Sequence, residues 1–171
     1  LRTPTSVAQT LRLSSTGNLT TNGRALTLLS DATGTALLVN GSTGVVLGTV
    51  TVQRHIDGLL NAGLGYRHFS APVSGSTVAD LATAGFAPEV SEAATYNSSA
   101  TPGTTTPFPT VFGYNQARLG SIAGNTYAPF DQGFFVPASL GAPLVPGQGY
   151  AVNIAASPLV DFVGTPNTGD L

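Results

Sequence analysis

Apolar residues between Arg24 and Ile56 come in short alternating pairs: Leu26/Leu28, Leu37/Val39, Val45/Leu47 and Val50/Val52. Thr, Ser and Gly fill the gaps, and Asn22-Gly23, Asp31–Gly34 and Asn40–Gly44 break the pattern into runs. A period of two turns one side chain inward and the next outward, while Asn, Asp and Gly accept the backbone angles of tight turns. The stretch therefore predicts short strands, with a turn about every ten residues. That spacing suits an antiparallel meander or successive rungs of a small β-solenoid. With few units and no strict period, the meander is the expectation. Gly48 interrupts the last run and predicts a bulge.

The flanking segments extend this picture. Pro4 predicts an extended start, Leu11/Leu13 and Leu19 predict brief strands, and Asn22-Gly23 is a strong hairpin-type turn. Tyr66 and Phe69 do not share a strict alternation, so that segment either bulges or serves two faces. Residues 76–85 predict the one short helix, with Ser76 as cap, Val78, Leu81 and Ala82 on one face, and Gly85 as stop. The Ser/Thr/Pro/Gly tract within 86–107 reads as a long loop. Strands are expected at Phe108–Asn115, Phe134–Val136, Tyr150–Ile154 and Pro158–Val163. About ten strands, regular turns and abundant Gly and Pro point to an all-β fold, an antiparallel β-sandwich or jelly roll. We expect a single domain over 1–171 with a soft seam near 57–64, and extended assembly arms at 1–10 and 159–171.

Composition changes what the surface must be. Only 8% of residues are charged and there is no lysine, yet 42% are hydrophobic. Disordered chains show the opposite balance, so this one should fold, with an exterior of Thr, Ser, Asn, Gly and Ala. Such a surface repels its copies weakly and favours association. A net charge of −2 gives no electrostatic footprint for nucleic acid. There is no cysteine, hence no disulfide framework, and no apolar run long enough for a membrane-spanning helix. The chain begins at Leu1 without a signal peptide and stops mid-pattern at Gly164–Leu171, so a trimmed piece of a longer polypeptide is expected.

Candidate chemistry is sparse. His55, Asp57 and His68 are the residues a metal site would use, but their spacing matches no zinc motif, and we read the histidines as ordinary strand residues. Serine is common, but no Gly-x-Ser-x-Gly elbow supports a hydrolase. Glu89 and Glu92 are close in sequence but lie in a predicted loop, and Asp31 and Asp170 sit where a carboxylate serves a turn. No calcium-loop pattern occurs. The aromatic set Tyr66, Phe69, Phe108, Phe112, Tyr114, Phe134, Phe135 and Tyr150 could line a sugar-binding face, but most of these rings are expected in the core. The reading is thus non-enzymatic, with no catalytic, cofactor-binding or metal-ligating residue and no cofactor.

Gly17–Leu19, Ala25–Ala36, Gly48–Ile56, Gly65–Val73, Val145–Tyr150 and Phe162–Gly169 together resemble a β-rich module of large secreted and cell-surface proteins of Bacteroidetes, associated with type IX secretion. The resemblance covers roughly residues 15–75 and 130–171. It implies an extracellular or cell-surface setting and carries over no catalytic residue. The expectation is a structural subunit that self-assembles with its own copies into a filament or matrix through strand edges. The alternative is an adhesin or carbohydrate-binding module with surface glycans as partners.

Overall fold

A computed structural model describes residues 1–57, 65–154 and 159–167. In chain order, the first part holds β1 (Thr5–Val7), β2 (Thr10–Leu13), β3 (Leu19–Thr20), β4 (Leu26–Leu28), β5 (Ser30–Asp31), β6 (Gly34–Thr35), β7 (Leu37–Asn40), β8 (Val46–Leu47) and β9 (Val50–His55). The rest holds β10 (Tyr66–Phe69), β11 (Val73–Ser74), helix α1 (Ala93–Ser98), β12 (Val111–Tyr114), β13 (Phe134–Phe135), β14 (Tyr150–Asn153) and β15 (Leu159–Pro166).

The strands of the first part do not pair with their sequence neighbours, apart from the β5–β6 hairpin. β1 runs parallel to β4 and β4 parallel to β9, while β2 lies parallel to β7 and β3 parallel to β8. The chain therefore winds as a coil, each turn laying one strand on each of three columns. The β5–β6 hairpin lengthens the second turn. The expected antiparallel meander does not form here, so an antiparallel sandwich or jelly roll does not describe this part of an otherwise all-β chain. Asn22 and Gly23 do adopt left-handed angles, φ 53° and 72°. They turn the chain from β3 to β4, which lie on different columns, rather than closing a hairpin.

Stacking in a coil requires small residues where successive corners touch. Gly48 joins β8 to β9 with φ +105°, and a Cβ there would overlap the hydroxyl of buried Thr21 in the turn below. It is a corner of the coil, not a bulge. Inside the coil the buried residues are Leu26, Leu28, Ala36, Val46, Val50 and Val52. Leu37 and Leu47 face outward, 57% and 44% exposed. In β7 and β8 the apolar pairs are therefore offset by one residue from the alternation read in the sequence. A one-residue slip exchanges the two faces of a strand.

β9 is covered on its far side by β15, antiparallel, with Phe162 opposite Val52, and β15 in turn pairs with β11. The result is a five-stranded sheet of order β1-β4-β9-β15-β11. Val160 and Phe162 of β15 are fully buried. The segment expected to be a C-terminal arm is thus an inner strand over 159–166, because its apolar alternation matches the bare face of β9; residues 168–171, including Asp170, lie outside the described residues. The expected N-terminal arm is likewise built into the coil as β1 and the start of β2. Most of the expected seam, residues 58–64, also lies outside the described residues.

Residues 65–154 add an antiparallel sheet of order β10-β14-β12-β13. The expected helix over 76–85 is a single 3-10 turn, Val78–Leu81. Asp80 accepts from the Thr77 N–H and the Ser76 hydroxyl, each at 2.8 Å, and these two bonds close the turn. The α-helix forms instead within the tract read as a loop, where Ala93 and Tyr96, one turn apart, are both buried. Among the described residues no helix is long and apolar enough to cross a membrane.

Candidate functional site

The four-stranded sheet carries an open hollow of about 320 Å³ on one face, lined by Tyr66, His68, Tyr96, Phe108, Phe112, Tyr127, Asp131, Phe134 and Ala151. Strand register explains its position. Ala151, on the central strand β14, lies directly between His68 of β10 and Phe112 of β12. Its methyl group leaves the floor low, and the larger side chains around it form the wall. Tyr96 enters from α1, and the loop between β12 and β13 brings Tyr127 and Asp131.

The walls are held by amide staples. Asn97 exchanges two 2.8 Å bonds with the backbone of Val136, fixing α1 to the end of β13. Gln132 donates to the Tyr127 carbonyl and accepts from the Gly120 N–H, at 2.9 and 3.0 Å, which ties the loop together. The rings are mutually tilted. Phe112 lies 5.5 Å from Tyr96, 5.9 Å from Phe108 and 6.5 Å from Phe134, with interplanar angles of 58°, 43° and 83°. They enclose a bowl rather than a flat platform.

Burial, followed by the neighbouring Tyr127, pushes the phenols of Tyr96 and Tyr66 above the ordinary tyrosine range, Tyr96 the further. An acid whose folded-state pKa is raised is kept neutral by the fold. The unfolded phenol ionises near pH 10, so this contribution to stability is complete below about pH 10 and is lost as pH climbs toward the folded value. We expect the melting temperature to fall above about pH 10, less steeply in Tyr96→Phe. Thermal melts from pH 8 to 11.5 check this, and equal slopes for the two chains would contradict it.

Of the aromatic residues singled out in the sequence, Tyr66, Phe108, Phe112 and Phe134 meet at the hollow. Phe69 points the other way, its ring 6.0 Å from Phe162, and Tyr114 stacks on Phe130 at 5.0 Å. Phe135 packs beneath Gly113, and Tyr150 is buried, accepting from the Val145 N–H at 3.1 Å. Tyr96 and Tyr127 were not in that set. The signal for Tyr96 was its spacing from Ala93 on a short amphipathic turn; Tyr127 offered none.

The other candidates stay apart or serve local structure. His55 ends β9 opposite Leu159, whereas His68 lies at the hollow. Among the described residues no three His, Cys, Asp or Glu side chains are grouped to hold a metal ion. Glu89 accepts from the Ser91 N–H at 2.7 Å, and Ser91 holds its carboxyl below the usual range. Glu92 accepts from the Thr95 hydroxyl at 2.8 Å. Asp31 accepts from the hydroxyl and N–H of Thr33, at 2.6 and 2.7 Å, and from the Gly34 N–H, which is the turn role read in the sequence.

The coil offers a second candidate surface. Leu37 donates to the Gln9 carbonyl and Gly41 to that of Leu13, so Gln9, Leu11 and Leu13 face β7. Backbone groups alternate along a strand, which puts those of Thr10 and Arg12 on the outer edge of β2 and those of Leu38 and Asn40 on the outer edge of β7. Among the described residues neither edge is paired with a further strand. A hollow of about 370 Å³ lies beside β7, lined by residues that include Ala36, Leu37, Leu38, Asn40, Arg54 and Pro166. The edge of β3 differs, because the Leu1 nitrogen donates to the Thr20 carbonyl across it.

In comparisons with known proteins, no protein-family model, no curated protein and no solved structure matches this chain.

Proposed function

We propose that this chain is an extracellular structural subunit that polymerises by continuing its own coil. The observation that carries the reading is the pair of open edges in the second column, β2 on one side and β7 on the other. Backbone pairing of β2 from one copy with β7 of the next would fill the adjoining hollow with a parallel strand. The two edges are different surfaces, so the contact is head-to-tail and generates an open filament rather than a closed dimer. The scarcity of charge, 8% of residues, lowers the repulsion that otherwise keeps such edges apart, leaving Arg12 on β2 and Arg54 beside β7 as the cations that pairing must accommodate. The extracellular setting rests on the resemblance to secreted Bacteroidetes modules.

Proline tests this directly. At Thr10 and Arg12 the N–H points away from β7, so proline there spares the internal ladder and removes the outward donors. Thr10→Pro/Arg12→Pro should remain folded by circular dichroism and stay monomeric where the parent chain forms filaments in electron micrographs. Dispersed single particles of the parent chain, at high concentration and across salt conditions, would defeat the proposal. A second reading, a binding module of a larger surface protein, is favoured by the aromatic hollow.

A further inference from the structure

We infer that the aromatic hollow binds a quaternary or methylated ammonium group, with Asp131 as its counter-charge. A ligand must satisfy the walls. A pyranose carries hydroxyls around its whole rim, and each one buried without a partner is costly. Here the lining surface is mainly apolar; its polar groups are the phenols of Tyr66, Tyr96 and Tyr127, the His68 imidazole and the Asp131 carboxylate, of which Asp131 and His68 belong to exposed residues. Mutually tilted rings cannot all stack on one sugar face, but they can all turn electron-rich surfaces toward a compact group at the centre. A tetra-alkylated nitrogen requires no hydrogen bonds and is attracted by those faces.

Charge decides between such a cation and a neutral apolar group. No Lys or Arg lines the hollow. The Asp131 carboxylate makes no hydrogen bond or ion pair among the described residues, leaving it available to a cation. Arg118 shares a small adjoining cavity with Tyr96, Tyr127 and Asp131 and donates to the Asn97 carbonyl at 2.9 Å. Its charge offsets part of the attraction of Asp131 for a cation. Phe108, 40% exposed, stands at the mouth where a ligand enters.

The chain has no tryptophan, and three of its five tyrosines, Tyr66, Tyr96 and Tyr127, line the hollow, so a ligand there changes tyrosine fluorescence. Choline, tetramethylammonium, the neutral isostere 3,3-dimethylbutan-1-ol and glucose are titrated at pH 8. Both cations should bind saturably, with the isostere about fivefold weaker than choline. Asp131→Asn should weaken choline about threefold and leave the isostere unchanged. Ala151→Leu, which raises the floor, should abolish binding. Should that variant fail to fold, the isostere comparison and the exposed Asp131→Asn change still decide the matter. Equal binding of the isostere, preferential binding of glucose, or no saturable binding of either cation would each overturn the assignment. The titration is repeated on Thr10→Pro/Arg12→Pro, so that it stands or falls independently of filament formation.

Discussion

Phe162→Ala should cost about 3–5 kcal/mol of folding stability, the range for truncating a buried aromatic side chain. Phe162 is fully buried in β15, faces Val52 across the ladder and packs its ring 6.0 Å from that of Phe69. Its removal opens a void where the coil meets the rest of the chain, and backbone pairing on both sides of β15 restrains the collapse that would fill it. A domain of this size has about 5–15 kcal/mol in total, so the variant should be close to unfolding at physiological temperature. Urea denaturation should show a lower midpoint with an unchanged slope. Phe162→Leu, which restores most of the volume, should recover more than half the loss. A loss below about 1 kcal/mol for the alanine variant would mean that the ring is not the keystone of this sheet.

Gly48→Ala should cost about 2–5 kcal/mol through two separable effects. A backbone φ of +105° is strained for any side chain, and the new methyl would collide with the Thr21 hydroxyl. Thr21 cannot simply move aside: it is buried, and its N–H donates to the Leu47 carbonyl at 2.9 Å. Thr21→Ala removes the obstructing oxygen and leaves the backbone angle as it was. In the double variant the collision is relieved and the angular strain remains, so the two changes should be coupled by about 1–3 kcal/mol. Denaturation of the four chains completes the cycle. Strict additivity would show that strain alone acts at this corner.

These two positions show what could and could not be read from the chain. Alternation gave the strands: Val50 and Val52 are buried, as are Val160 and Phe162. Turn chemistry also spoke truly, since Asp31 closes the turn assigned to it and Asn22-Gly23 takes left-handed angles. What turn chemistry leaves open is which strands become partners. A tight turn fixes two residues, whereas parallel stacking depends on surfaces more than twenty residues apart, as with Thr5 and Leu26. A recurring turn fits a meander and a coil equally well, and the sign that distinguishes them, a glycine such as Gly48 pressed against an earlier corner, acquires meaning only in three dimensions. The site was half legible for a similar reason. Phe112 followed from the strand expected at Phe108–Asn115, whereas Tyr66 and Phe134 were named as aromatic candidates without an alternation that fixed their face. Tyr96 is flanked by the poor helix formers Thr95, Asn97 and Ser98, and the short helix carrying it is held by Asn97 binding a backbone far along the chain. The low floor that creates the hollow comes from Ala151, whose importance is the size of its neighbours.

The pairing of β9 with β15 also sets a timetable. Strand Val50–His55 leaves the ribosome long before Leu159–Pro166, and everything between them must be made first. During synthesis the edge of β9 that β15 pairs stays bare, in a nascent polypeptide with few charges to protect it. Closing so long a loop is slow, so that edge remains open to other chains until β15 is made.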